Sequence, residues 1–151
     1  MFSRSDVYFM REAIKLAKEA ALNDEVPVGA VITKDNEIIG RGFNQVRSRN
    51  DVSAHAEILA IRDASQTIKN YRLIDASIYV TLEPCHMCAK ALLDARLARL
   101  VYSSFEPKTG AINSIDNLYK KNFNHKISYQ QGLLEDETSM IMKSFFQSKR
   151  I

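Results

Sequence analysis

The sequence predicts an α/β layered fold, read as a single domain over 1–151. Three observations carry that reading. Helical and strand-like stretches alternate along the chain. A strand, a helix and a strand follow one another over residues 77–103, which implies a parallel pair with a right-handed crossover. No internal repeat, linker or low-complexity segment interrupts the pattern. Apolar content is 46% and charged content 26%, ordinary for a globular chain with a real core.

Taken in order, Asp6 to Leu22 reads as an amphipathic helix. Val7, Met10, Ile14, Ala17 and Ala21 recur at helical spacing, and Asp6 is placed to cap the start. Val26 to Ile32 is a strand, apolar enough to be covered on both faces. After a turn at Lys34 to Glu37, Ile38 to Phe43 completes a hairpin. Gly29, Gly40 and Gly42 mark bulges, twist or a close backbone approach. Asn44 to Asp51 is a polar loop holding Arg47 and Arg49. Ser53 is placed to cap a helix opening Ala54-His55-Ala56-Glu57 and continuing through Ile58, Leu59 and Ile61.

Gln66 to Asp75 reads as a connection and Ser77 to Leu82 as the third strand. Pro84 ends that strand and suits the first turn of a helix over Cys85 to Asp94. Leu100 to Ser103 is a fourth strand, Ser104 to Ser114 a loop with Pro107 and Gly110, and Ile127 to Tyr129 a fifth strand. Glu135 to Lys149 closes the chain as a helix carrying Met140, Ile141, Phe145 and Phe146.

Charge and composition narrow the function classes. No apolar run approaches the length of a membrane span, and the N-terminus has no apolar segment of the secretory kind. A reducing cytoplasm is therefore the expected setting, where a close Cys pair binds metal or acts catalytically more often than it forms a disulfide. Net charge is +3, unevenly spread. Residues 1–89 hold 11 basic and 12 acidic side chains, residues 90–151 hold 10 and 6. The basic excess, at Lys120, Lys121, Lys126, Lys149 and Arg150, suits either a solvated surface or a polyanionic partner.

The chemistry concentrates on Cys85 and Cys88, the only cysteines, which share one helical face. A redox pair leaves His55 and Glu57 without a role. His55 with the two cysteines makes three ligands suited to zinc. Structural zinc sites close with four protein ligands, whereas catalytic ones leave a place for water, so three ligands favour catalysis unless His86 or His125 completes the set. Glu57, two positions after His55, diverges around the helix and is poorly placed to ligate. It is placed to take a proton from a bound water.

His55-Ala56-Glu57 followed by Pro84-Cys85-His86-Met87-Cys88 matches the H-x-E…P-C-x-x-C signature of the zinc-dependent nucleobase deaminases. Further stretches are similar to the bacterial tRNA-specific adenosine deaminases: Glu25 to Val31, Asn44, Asn70-Tyr71-Arg72-Leu73, Tyr79 to Cys85, Lys108-Thr109-Gly110-Ala111 and Phe123-Asn124-His125. The resemblance covers nearly the whole chain. It implies a cytidine-deaminase-like three-layer α/β/α fold with a central five-stranded mixed sheet, a homodimer, and conversion of adenosine to inosine at the wobble position of a tRNA anticodon. It further implies one Zn²⁺ per subunit on His55, Cys85 and Cys88, with Glu57 as the proton carrier. Asn44 would hydrogen-bond the target nucleotide, Val28 and the backbone around Ala30 and Leu82-Glu83 would shape the pocket, and Lys108 and Asn124 would contact the RNA near the flipped base.

The chain departs from the family's usual pattern at Lys90, Glu106-Pro107, Asn113 and His86, none of them an implied zinc ligand. The metal motif serves equally well for deaminating guanine, cytosine or a free nucleoside. The Lys108 loop, Phe123 to His125 and the basic end of the chain, Phe145 to Arg150, favour RNA.

Overall fold

The structure, a computed structural model, describes residues 1–149. Arg150, part of the basic end of the chain, lies outside the described residues, as does Ile151. The elements are α1 (Arg4–Leu22), β1 (Gly29–Lys34), β2 (Glu37–Phe43), α2 (Val46–Arg49), α3 (Ala56–Ile68), β3 (Ser77–Leu82), α4 (His86–Asp94), β4 (Arg99–Ser104), β5 (Ser128–Gln131) and α5 (Glu135–Lys149). One five-stranded sheet runs β2-β1-β3-β4-β5. β1 is antiparallel to β2 and β3, while β3-β4 and β4-β5 are parallel, so the sheet is mixed and the strands flanking α4 form the expected parallel pair.

Side-chain alternation along the central strands splits the core into two layers. Val31, Tyr79 and Val101 face Phe9, Met10, Ala13 and Ile14 of α1. Ala30, Ile32, Ile78, Val80, Leu100 and Tyr102 face Ala56, Ala60 and Ala64 of α3 and Ala89, Leu92 and Leu93 of α4. Gly40 and Gly42 belong to this second contact. A Cβ on Gly42 would lie 2.3 Å from the Ala56 carbonyl oxygen, and one on Gly40 would lie 2.5 Å from that of Ala60. The close backbone approach is therefore to α3, and it brings the start of that helix down onto the sheet. A bulge adjoins Gly40: Ile32 pairs with Gly40 and Thr33 with Ile38, which leaves Ile39 as the extra residue on β2.

Several boundaries differ from the sequence expectation, each for a local reason. α1 is capped by Ser3, whose hydroxyl accepts from the Asp6 N–H at 3.0 Å, while Asp6 Oδ2 accepts from the Ser3 N–H at 3.0 Å. Asp6 is thus the third residue of a capping box, not the cap. β1 starts at Gly29 because Pro27 has no N–H to pair and Val28 donates back to the Val26 carbonyl at 2.8 Å. α3 starts at Ala56, with His55 as its cap in extended conformation. Ser53 instead donates to Asp51 Oδ1 from both its N–H and its hydroxyl. The polar loop over 44–51 contains the short α2, and α3 continues to Ile68 before Lys69 turns it at φ 56°.

α5 packs lightly. Only Thr138 is buried, in a hydroxyl cluster with Ser103 at 2.7 Å and Ser104 at 2.5 Å. Among the described residues no helix is long and apolar enough to cross a membrane.

Candidate metal centre and substrate cavity

Two helix starts converge at one end of the sheet. His55 is the cap of α3 and Cys85 the cap of α4, both in extended conformation. β3 delivers Cys85 through Glu83-Pro84, and one turn of α4 brings Cys88 to the same face. His55 Nδ1 lies 3.6 Å from Cys85 Sγ and 3.4 Å from Cys88 Sγ. All three donor atoms lie within 4.8 Å of one another. Zinc bonds of about 2.0–2.1 Å to nitrogen and about 2.3 Å to sulfur, at a tetrahedral angle, put N and S about 3.5–3.6 Å apart. The donor set and its spacing fit a tetrahedral metal with one position left over.

The electrostatics favour anionic sulfur. Both helix N-termini point their partial positive charge at the cluster. Cys85 is lowered to about 4, first by hydrogen bonding from Cys88, against its burial, and then by His55. Cys88 is pushed up, by donating to Cys85 and by burial. His55 is raised by its bond to Cys85.

Glu57, on the first turn of α3, is 4% exposed, and burial raises its carboxyl to about 7. It lines a cavity of about 510 Å³ together with His55, Cys85, Val28, Asn44 and Leu82. Asn44 Oδ1 accepts the Ala56 N–H at 2.8 Å, and because only the oxygen can accept, the orientation of the amide is fixed. Its amide nitrogen is the group that remains to donate. The four sequence candidates His55, Glu57, Cys85 and Cys88 are thus brought together, with Asn44 and Val28 on the adjoining wall.

The other candidates fall further out. Lys108 lines a second groove of about 700 Å³, which shares Leu82, Glu106, Met142 and Phe146 with the first cavity. Asn124 is exposed and lines neither. His86 points away from the cluster and pairs with Asp116 at 2.9 Å. His125 Nε2 lies 2.6 Å from the Leu97 carbonyl oxygen, so neither His completes the ligand set. Of the departures from the family pattern, Lys90 pairs with Asp94 at 2.6 Å, and Asn113 accepts from the Tyr102 hydroxyl.

Two buried carboxylates that sequence reasoning missed build the cavity walls. Glu83 accepts from the backbone N–H groups of Glu106, Ile112, Asn113 and Ser114 at 2.7–3.1 Å and from the Ser114 hydroxyl. Those bonds keep it ionised against its burial. It folds the loop that carries Thr109 and Lys108. Glu25, 2% exposed, holds the start of α2 in the same way, through the N–H groups of Arg47 at 3.0 Å and Ser48 at 2.7 Å. The available signal was a charged residue at the edge of an apolar run beside a proline, at Glu25-Val26-Pro27 and Leu82-Glu83-Pro84. The remaining wall is α5, through Met142, Phe145, Phe146 and Lys149.

Comparisons with known proteins agree with this geometry. The sequence pattern of the MafB19-like deaminases matches residues 4–150. The tRNA-specific adenosine deaminase of Haemophilus influenzae is 43% identical over 150 residues, spanning 98% of this chain and 87% of that protein. That of Buchnera aphidicola subsp. Baizongia pistaciae is 45% identical over 148 residues, spanning 97% and 91%. A solved structure from a study of A-to-I editing by tRNA:A34 deaminases at the wobble position of transfer RNA superposes with a TM-score of 0.86 at 43% identity, over 89% of this chain and 98% of that one. A guanine deaminase from Nitrosomonas europaea shares the fold, with a TM-score of 0.78 at 21% identity over 96% of this chain and 85% of that one.

Proposed function

From the premise that the chain belongs to the MafB19-like deaminases, and among them to the family of the tRNA-specific adenosine deaminases, we propose that it converts adenosine to inosine at the wobble position of a tRNA anticodon. The observation that carries the deaminase chemistry is His55 Nδ1 at 3.4 and 3.6 Å from two thiol sulfurs, with the Glu57 carboxyl buried in the same cavity, and the tRNA substrate is supported by the 43–45% identity to tRNA-specific adenosine deaminases. His55, Cys85 and Cys88 would hold one zinc ion, which would supply a Lewis acid able to make water acidic near neutral pH.

The chain's own residues do the rest. Glu57, already poised near neutrality by burial, takes the proton of the attacking water and gives it to N1 of the adenine. Once the C6–O bond has formed, the same carboxylate takes the remaining proton from the new C6 hydroxyl and passes it to the exocyclic amine, and the C6–N bond breaks as ammonia leaves. Asn44 donates from its amide to the nucleotide, and Val28 packs against the base. The base must leave its stack to reach this cavity, which suits an unpaired loop nucleotide. Lys108, in the adjoining groove, and the exposed Asn124 contact the RNA beyond that base.

A second copy of the chain completes the reading of a homodimer. Val52, Tyr71, Ile74, Met87 and Ile115 are large apolar side chains left exposed on the single chain. The setting is cytoplasmic, where tRNA and reduced thiols are found.

The test supplies the purified protein with an anticodon stem-loop bearing adenosine at the wobble position, and in parallel with free adenosine, guanine and cytidine. Inosine is expected in the stem-loop alone. Turnover of a free base or nucleoside with the stem-loop untouched overturns the tRNA reading while leaving the deaminase standing.

A further inference from the structure

We propose that Arg47 and Lys149 form a phosphate-binding subsite at the cavity mouth, and that the Asp24 carboxylate occupies it until a nucleic-acid phosphodiester displaces it. The subsite deepens the tRNA reading and rests on it. Its basis is a single carboxylate shared between two cations. Asp24 Oδ2 lies 2.7 Å from Arg47 Nη1, and Asp24 Oδ1 pairs with Lys149 Nζ. Arg47 Nη1 also donates to the Asp24 carbonyl at 3.3 Å. All three residues line the cavity that contains His55 and Glu57.

The two cations come from separate elements, and each is supported. The backbone of Arg47 is fixed by the buried Glu25 carboxylate, at 3.0 Å from its N–H. Lys149, in the last turn of α5, lies over the Phe145 ring at 5.4 Å from its centroid. Held together with no anion between them, Arg47 and Lys149 would repel. With Asp24 between them, a two-oxygen anion bridges a guanidinium and an ammonium, an arrangement that the two non-bridging oxygens of a phosphodiester can also satisfy.

The arrangement is built for exchange rather than permanence. Side-chain exposure is 69% for Arg47, 50% for Asp24 and 44% for Lys149, so water and salt screen both pairs. A polynucleotide phosphate releases condensed counterions on binding, a gain that Asp24 does not provide. Asp24 also sits in the left-handed region at φ 63°, which Asn adopts readily, so Asp24→Asn removes the charge without straining the turn.

The test measures the affinity of the stem-loop for the wild type and for Asp24→Asn, Arg47→Gln and Lys149→Gln over a range of salt concentrations. Asp24→Asn is expected to bind about 2- to 5-fold tighter and with a steeper salt dependence. Arg47→Gln and Lys149→Gln are expected to bind more weakly, each losing about one unit of salt slope. A wild type that binds and deaminates the stem-loop, together with an Asp24→Asn variant that binds no tighter, overturns the subsite and leaves the tRNA reading intact. A wild type that neither binds nor deaminates the stem-loop overturns both.

Discussion

His55 Nδ1 lies 3.4 Å from Cys88 Sγ, although 33 positions separate the two residues in sequence. Nothing in either helix alone requires that approach. It follows from two helix starts placed side by side, and a metal bound there ties those starts together. Chelation is therefore expected to abolish activity and also to lower the melting temperature by about 5–10 °C, the shift for a ligand near a hundred times its dissociation constant. Added zinc should restore both. Calorimetry with and without chelator checks this, and an unchanged melting temperature counts against a metal that bridges α3 and α4.

The Glu83 carboxylate gathers four backbone N–H groups of one loop. Glu83→Ala leaves them without their acceptor, with water able to serve only some of them, at a cost of about 2–4 kcal/mol. Because that loop carries Thr109 and Lys108, KM for the stem-loop should rise more than kcat falls. Denaturant melts and steady-state kinetics read both effects. Normal stability with normal KM would mean that the loop holds itself.

Gly42 faces the carbonyl of Ala56, the residue between His55 and Glu57. Gly42→Ala should cost about 1–3 kcal/mol by overpacking, and it should also lower zinc content and activity. Gly40→Ala makes the same kind of clash a turn further along α3, at Ala60. It should cost similar stability with less loss of metal. Equal metal loss in both variants would show that the helix moves as a whole.

Asp6 is buried against Arg99, at 2.8 and 3.1 Å, and the Tyr79 hydroxyl, at 2.7 Å. The guanidinium, above all, holds its carboxyl well below the usual carboxylate range. A lowered folded-state value means that the stabilisation is present above the unfolded value near 3.8 and is lost as pH falls below it. Asp6→Asn should therefore cost about 2–3 kcal/mol at neutral pH and flatten the decline in stability below about pH 4. Stability curves against pH for the two proteins test this, and parallel acid limbs would contradict it.

Much of this was legible in the sequence, for a physical reason. The candidate metal ligands are single residues in a short motif, and the strands and long helices have strong periodicity, so residue type alone indicated them. Some boundaries shifted for local reasons, as at Ser3 and Pro27, and one was decided at a distance. Asn44 sets where α3 begins by accepting from Ala56, twelve positions away. The roles of the Glu83 and Glu25 carboxylates carry no sequence signature beyond a nearby proline, because their work is to satisfy N–H groups of loops 22 to 31 residues distant. The role of α5 as a cavity wall was equally hidden. Phe145 and Phe146 read as core or as tail, and only the packing puts both beside the cavity that holds His55 and Glu57.

We propose that Glu57 moves the proton at a metal centre built by His55, Cys85 and Cys88. The most direct measurement compares inosine formation in the anticodon stem-loop by the wild type and by Glu57→Gln, with zinc content determined on the same samples. Full zinc occupancy and a rate lowered by about 10²- to 10⁴-fold are expected. A zinc-loaded Glu57→Gln protein working at the wild-type rate would contradict it.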